Sequence, residues 1–102
     1  MTPFTQQVIQ ILLDIPEGTV MTYGQIATIA GNHRGARQVV RILHSSSRTY
    51  DLPWHRVVNA RGEIALKEDV ARSEQASLLR GENVEVSDSG TIDLQQYLYS
   101  PK

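Results

Sequence analysis

The chain has 102 residues, 40% of them hydrophobic and 21% charged, so we expect a single globular domain over residues 1–102. It contains no cysteine, which excludes disulfides, thiolate metal sites and a cysteine nucleophile. The sequence has no apolar run of transmembrane length and no N-terminal signal peptide, so we expect a cytoplasmic protein that does not enter a membrane.

The net charge of −1 hides an uneven distribution of charged residues. Residues 34–67 carry seven basic and two acidic residues, a net charge of +5, whereas the rest of the chain carries three basic and nine acidic residues, a net charge of −6. A chain polarised in this way can present one cationic face to a nucleic acid. The alternative is a solvated basic surface that has no partner.

The first part of the chain predicts two helices. Apolar residues at helical spacing predict an amphipathic helix over residues 3–14, and Pro16 cannot continue it. Thr22 can cap a second helix, TYGQIATIA, which Gly31 ends. The core-facing residues of the second helix are predicted to be Ile26, Ala27, Ile29 and Ala30.

The segment ARQVVRILHS predicts a third helix with two separate stripes. Ala36, Val39, Val40 and Leu43 are spaced as a buried stripe, and Arg37, Arg41 and His44 as an exposed basic one. A helix, a glycine-containing turn and a second helix with a basic stripe indicate a helix-turn-helix. Such helix pairs also occur in proteins that do not bind DNA, where the two arginines would lie on a solvated face.

The second half of the chain predicts a hairpin and a fourth helix. The polar stretch SSSRTYDLP reads as a loop, after which RVVN and EIAL flank a turn and predict a β-hairpin with Gly62 at positive φ. A helix is predicted from Asp69 to about Arg80–Gly81, with Ala71, Leu78 and Leu79 as its buried residues. The C-terminal segment either folds back or remains loose. We therefore expect a mainly α fold with a small β-hairpin.

The segment PWHRV, residues 53–57, contains the only tryptophan in the chain. Taken by themselves, these residues indicate ordinary structure: Trp54 as a core residue, His55 as a hydrogen-bonding group and Arg56 as the partner of an acid. The sequence has no glycine-rich phosphate loop, metal-binding motif or serine nucleophile motif, so we expect no cofactor and no metal.

TYGQIA, GNHRGARQV, LPWHRVVNARGEI and LLRGENV, in this order, resemble the C-terminal DNA-binding domain of O6-alkylguanine-DNA alkyltransferases over residues 4–86. That domain is a helix-turn-helix, winged-helix-like fold. The enzymes have a cysteine at the position of Trp54, and this cysteine accepts the alkyl group irreversibly. The tryptophan makes the chain similar to the alkyltransferase-like proteins, which lack the nucleophile. Since an indole cannot replace a thiolate at neutral pH, the resemblance implies binding without chemistry.

The resemblance also implies a pocket for the alkylated base. Trp54 would form its apolar wall, Tyr23 would contact and help rotate the target nucleotide's phosphate, and backbone groups around Val57 would read the base edge. Lys67 would lie over the flipped base. Structural support would come from Ser46, Pro53, His55, Arg56 and Glu82. The enzymes usually have asparagine at the position of Ser46, and Arg56 would brace the loop. His55 and Glu82 match the residues that activate the thiol in the enzymes, but this chain has no thiol to activate.

For the DNA itself, the resemblance implies contact through the minor groove. Arg37 would enter the duplex and fill the place of the extruded base, and the small Ala36 would allow close approach. Arg34, Arg41 and Arg48 would contact phosphates independently of sequence. Asn83 stands where the family usually has glycine.

The resulting hypothesis is a monomeric, non-enzymatic sensor that flips O6-alkylguanine out of duplex DNA and flags it for nucleotide excision repair proteins. Flipping is favoured because a modified guanine pairs poorly. Two alternatives remain open. A helix-turn-helix transcription regulator would bind a defined sequence regardless of alkylation, and an enzyme with undiscovered chemistry would leave an adduct or a repaired base.

Overall fold

The computed structural model describes residues 1–101 as five α-helices, a 3-10 helix and two short strands. Within this range no helix is both long and apolar enough to cross a membrane. In chain order the elements are α1 (Pro3–Leu13), β1 (Met21–Thr22), α2 (Tyr23–Ile29), α3 (Ala36–Tyr50), the 3-10 helix (Trp54–Arg56), β2 (Val57–Val58), α4 (Asp69–Gly81) and α5 (Leu94–Tyr97).

Local capping explains where the first two helices begin. The Thr2 hydroxyl accepts a hydrogen bond from the Thr5 amide at the start of α1. At the start of α2, Thr22 and Gln25 form a reciprocal capping box, with both hydrogen bonds at 3.1 Å. Both helices confirm the prediction from sequence, but Ile29 is 44% exposed rather than buried.

Helix α3 is longer than predicted, and the loop expected at residues 45–53 is therefore wrong as far as Tyr50. The helix continues through SSSRTY to Tyr50 and ends where Asp51 adopts a positive φ of 52°. The Ser47 hydroxyl donates to the Leu43 carbonyl inside the helix, which lets a serine remain helical. Ser46 consequently lies in α3 and not in a loop. Val39 and Ile42 form its buried face, whereas Val40 is 39% exposed.

The small sheet is parallel, so the predicted hairpin is wrong. Strand β1 pairs with β2 with Met21 opposite Val57 and Thr22 opposite Val58. The expected turn does form. In it, the Gly62 amide donates to the Asn59 carbonyl, and Gly62 has a φ of 79°. The chain after the turn, however, bonds to the Gly90–Thr91 region instead of returning along β2. The fold class is confirmed as mainly helical with a two-stranded sheet.

The core consists of two clusters that meet at the sheet. The first cluster joins α1, α2 and α3, and Met21 and Val57 belong to it. The second cluster joins α4 to the C-terminal part of the chain, and Val20 and Val58 belong to it. The bounds of α4 confirm the prediction, but of its expected core residues only Leu79 is fully buried, and Leu78 is 40% exposed.

The C-terminal segment folds back onto β1. Val20 exchanges two backbone hydrogen bonds of 2.9 Å with this segment, one to the Tyr97 carbonyl and one from the Tyr99 amide. The Gln25 side chain adds a 2.6 Å bond to the Tyr99 carbonyl. Together these bonds attach the end of the chain to the start of α2.

Candidate nucleic-acid interface

A cavity of about 510 Å³ opens between the start of α2, the second half of α3, Trp54 and α4. Its walls are mainly apolar, with polar groups contributed by α2, α3 and the segment that follows α3. The lining residues are Tyr23, Val40, Leu43, His44, Ser47, Arg48, Asp51, Leu52, Trp54, Leu66, Ala71 and Gln75. The structure therefore brings Tyr23 and Trp54, which are 31 positions apart in the chain, to one cavity.

Trp54 is held at the cavity wall by the 3-10 helix that begins at Pro53. The Pro53 carbonyl accepts a 3.0 Å hydrogen bond from the Arg56 amide, and the Trp54 amide donates to the Leu52 carbonyl at 2.8 Å. The indole is half-buried and stands nearly perpendicular to the His55 ring, at 85° with centroids 6.1 Å apart. A flat apolar surface is thus presented to the cavity by a short, internally bonded turn.

Tyr23 is the first residue of α2 and is half-buried in the same cavity. Burial raises the pKa of the Tyr23 phenol above its usual value. The group therefore remains a neutral hydroxyl at neutral pH, able both to donate and to accept a hydrogen bond.

Glu82 forms the centre of a nearly buried hydrogen-bond group behind Trp54, which we call the Glu82 network. The carboxylate accepts hydrogen bonds from Arg56 Nη2 at 2.7 Å, from Arg56 Nε at 2.9 Å and from the Gly18 amide at 2.9 Å. His55 Nε2 lies 2.7 Å from its second oxygen. Arg56 Nη1 also donates to the Ile15 carbonyl at 2.9 Å. The network therefore joins the turn after α1, the 3-10 helix and the end of α4.

These partners strongly favour the ionised form of the Glu82 side chain. Burial raises the pKa of Glu82, but hydrogen bonds from Arg56, Gly18 and His55 outweigh burial and lower the pKa to about 2. The carboxylate is therefore ionised at neutral pH and paired with a guanidinium. The chain has no cysteine, so no thiol can bond to His55. Within residues 1–101, the hydrogen-bond partner of the His55 ring is the Glu82 carboxylate.

The basic surface of α2–α3, formed by Arg34, Arg37 and Arg41, has the opposite character. All three side chains are exposed, and their guanidinium groups make no hydrogen bond or ion pair within residues 1–101. Arg37 lies one helical turn before Val40, which lines the cavity, but Arg37 itself is not among the lining residues. Arg41 borders a shallower groove between α3 and the start of α1.

The remaining predicted site residues occupy varied places. Arg48 is exposed and lines the cavity, and Ala36 begins α3. The Val57 side chain is fully buried in the core, and Lys67 is exposed next to Leu66; neither side chain lines the cavity. Ser46 is half-buried in α3 beside Ser45.

Asn83 has a φ of 66° immediately after α4, in the left-handed region that glycine and asparagine tolerate best. An asparagine can therefore stand where the resembling enzymes have glycine, and Glu82 keeps its place. Gln75 is a cavity residue that the sequence did not indicate, because a polar residue in a weakly periodic helix is ordinarily assigned to the solvent side.

The α2–α3 pair, its free arginines and the adjoining cavity define a helix-turn-helix domain of the DNA-binding kind. Residues 3–84 match the family model described as the DNA binding domain of 6-O-methylguanine DNA methyltransferase. The chain belongs to this family.

Similarity to individual proteins extends over nearly the whole chain. It is 50% identical to the DNA base-flipping protein of Escherichia coli (strain K12) over 98 residues, and this match covers 95% of the chain and 74% of the E. coli protein. It is 35% identical over 107 residues to alkyltransferase-like protein 1 of Schizosaccharomyces pombe, covering 99% and 98%. The crystal structure of S. pombe Atl1 in complex with damaged DNA containing O6-carboxymethylguanine matches with a TM-score of 0.88, at 32% identity over 99% of this chain and 98% of that one.

Proposed function

We propose that this protein recognises O6-alkylguanine in duplex DNA and holds the flipped base in the cavity beside Trp54 without removing the alkyl group. The observation that carries the proposal is the open cavity with an indole wall, next to a helix pair whose arginines are unpaired within residues 1–101. Relatives named for base flipping and a similar structure solved with O6-carboxymethylguanine DNA support the same reading.

The proposal gives each residue of the interface its own role. Arg34, Arg41 and Arg48 neutralise phosphates, which makes affinity salt-dependent and independent of sequence. Arg37 enters the duplex through the minor groove and occupies the space left by the base, and Ala36 allows the close approach. Tyr23 contacts the phosphate of the rotated nucleotide.

The flipped base enters a site that offers no thiol to accept the alkyl group. Trp54 provides an apolar face for the base and its alkyl group. Backbone groups near Val57 contact the base edge, and Lys67, which follows Leu66 of the cavity wall, covers the flipped base once DNA is bound. Pro53, His55, Arg56, Glu82 and Ser46 support this wall and make no contact with DNA.

A bound protein that repairs nothing must act as a signal. We propose that the monomeric complex on the marked duplex is recognised by nucleotide excision repair proteins, which remove the lesion. No cofactor is needed, because each step is binding or rotation.

The test measures binding and mass on the same samples. Duplexes that contain one O6-methylguanine or one guanine, each in two flanking sequences, are titrated by fluorescence anisotropy, and protein and DNA are then weighed by mass spectrometry. Tighter binding to the modified duplex in both sequences, with unchanged masses, supports the proposal. Equal affinities overturn lesion recognition, preference for one flanking sequence regardless of the lesion indicates a transcription regulator, and a transferred methyl group indicates an enzyme.

A further inference from the structure

Gln75 is a buried glutamine in the middle of α4 that none of the roles above uses. Its side chain is 1% exposed, and it is the one buried polar or charged residue within residues 1–101. It also belongs to the lining of the base cavity. A buried amide must satisfy its polar groups inside the protein, so its partners indicate what it does.

The nitrogen of the Gln75 amide holds two backbone carbonyls of the turn that carries Trp54. Gln75 Nε2 donates to the His55 carbonyl at 3.1 Å and to the Val57 carbonyl at 2.9 Å. His55 follows Trp54 in the 3-10 helix, and Val57 begins β2 directly after it. Only the nitrogen of an amide carries hydrogens, so these two acceptors fix the orientation of the whole group.

The oxygen of the same amide is less well satisfied. Gln75 Oε1 is buried and has no hydrogen-bond partner among the described residues. An unpaired buried acceptor lowers stability, and a methionine of similar length would avoid that loss. The feature that glutamine supplies and methionine lacks is the pair of N–H donors. Because Oε1 is also shielded from the cavity, the oxygen is not placed to contact a base.

We propose that Gln75 is a positioning residue of the base cavity: by holding the His55 and Val57 carbonyls, it fixes the turn that presents Trp54 to the flipped base. The proposal rests on the lesion-binding function proposed above and deepens it. Its consequence is that the selectivity for a modified base depends on the amide donors of a residue that does not contact the base.

Three substitutions separate the parts of the amide. Gln75→Lys keeps donors and removes the acceptor, Gln75→Glu keeps acceptors and removes the donors, and Gln75→Met removes both at similar length. Leu78→Met is the matched control, because Leu78 lies on the same helix, is 40% exposed and does not line the cavity.

We expect Gln75→Met and Gln75→Glu to lower the ratio of affinities for O6-methylguanine and guanine duplexes by about fivefold or more, the size of effect that a lost hydrogen bond allows. Affinity for the unmodified duplex stays unchanged in both, since the arginine surface is untouched. Gln75→Lys and Leu78→Met retain the wild-type ratio.

The emission of the single tryptophan gives a readout that overall stability does not move. In free protein, below the melting temperature of every variant, loss of the donors shifts the Trp54 emission, whereas Gln75→Lys and Leu78→Met leave it unchanged. If Gln75→Met does not fold, Gln75→Leu, which also lacks the donors and buries no charge, replaces it in both measurements.

Wild-type selectivity and wild-type emission in the variants without donors would overturn the proposal. If the wild-type protein itself bound both duplexes equally, the lesion-binding function would fail instead. The emission of the free variants would still decide whether Gln75 holds the turn.

Discussion

The Glu82 network and the basic surface of α2–α3 use arginine in opposite ways. In the network, Arg56 donates to Glu82 and to the Ile15 carbonyl, and its side chain is only 17% exposed. On the surface, Arg34, Arg37 and Arg41 are exposed and have no partner within residues 1–101. A guanidinium whose three nitrogens all donate hydrogen bonds stabilises the fold, whereas an unpaired one is available to a phosphate. Partners, and not residue type, therefore separate the scaffold from the binding surface.

The same distinction applies to the arginines that lie outside the basic surface of α2–α3. Arg72 donates to the carbonyls of Ile64 and Leu66 at 2.9 Å each, so it holds the segment that includes part of the cavity wall. Arg61 is exposed, and its guanidinium has no partner among the described residues. It lies on the turn of residues 59–63, outside α2 and α3. Arg61 is therefore the matched control for a binding arginine, and Arg72 is not.

The largest expected effect comes from removing the charge at the centre of the network. Glu82→Gln should lower the free energy of unfolding by about 3 kcal/mol, because it leaves Arg56 nearly buried without its anion. In a domain of this size the melting temperature should fall by roughly 10–20 °C. Thermal and urea unfolding measure the change. Glu85→Gln, an exposed neighbour whose carboxylate makes no bond within residues 1–101, is the control, and an equal loss in both variants would contradict the role of the network.

Acid should remove the same contribution from the wild-type protein. The pKa of Glu82 is about 2 in the folded state against an ordinary value of 4.5, so its stabilisation is present above about pH 4.5 and is lost as the pH falls through about 2. The difference of about 3 kcal/mol between wild type and Glu82→Gln should therefore shrink over this range. Urea unfolding at pH 7, 4 and 2.5 measures it. A difference that stays constant with pH would show that the carboxylate is not held ionised.

On the binding surface the expected effect is smaller and concerns affinity alone. Arg37→Ala should weaken binding to an O6-methylguanine duplex by about 2 kcal/mol, roughly 30-fold, because in the proposed complex alanine cannot fill the space that the flipped base leaves in the duplex. Its melting temperature should not change. Arg61→Ala should change the affinity little, and similar losses in the two variants would mean that Arg37 contributes charge and no specific contact.

The smallest effect should come from the backbone that follows α4. Asn83→Ala should cost about 1 kcal/mol of unfolding free energy, because alanine tolerates the φ of 66° less well than asparagine does. Asn83→Gly should be at least as stable as the wild-type protein. Thermal unfolding of the two variants measures the difference, and DNA affinity serves as the unaffected property. Equal stabilities would mean that the left-handed conformation is not what the position requires.

Local signals predicted most of the helices and none of the long-range pairings. Thr22 as a cap and the bounds of α4 follow from residues a few positions apart, which is the range that capping and periodicity cover. The serines after His44 have low helix propensity, so the sequence suggested a loop where α3 in fact continues to Tyr50. The pairing of β1 with β2 joins residues 36 positions apart, and no turn signal encodes it.

In the candidate site, too, the sequence predicted some features and missed those that depend on long-range contacts. The motif resemblance placed Tyr23 and Trp54 together, and both line one cavity. Its geometry could not be derived from the sequence, because Glu82 reaches the Gly18 amide across 64 positions. Gln75 was missed because its partners are backbone carbonyls, which carry no sequence signature.

The most direct test of the central claim follows Trp54 while DNA binds. Because the chain has one tryptophan, selective excitation during a titration reports on the cavity wall alone. An O6-methylguanine duplex should change the Trp54 emission up to one equivalent and then no further, and the methylated base should be recovered intact, whereas an unmodified duplex at equal occupancy should leave the emission nearly unchanged. No emission change with the O6-methylguanine duplex would mean that the base does not reach Trp54, and the same change with both duplexes would mean that Trp54 does not distinguish the modified base; either result would contradict the account.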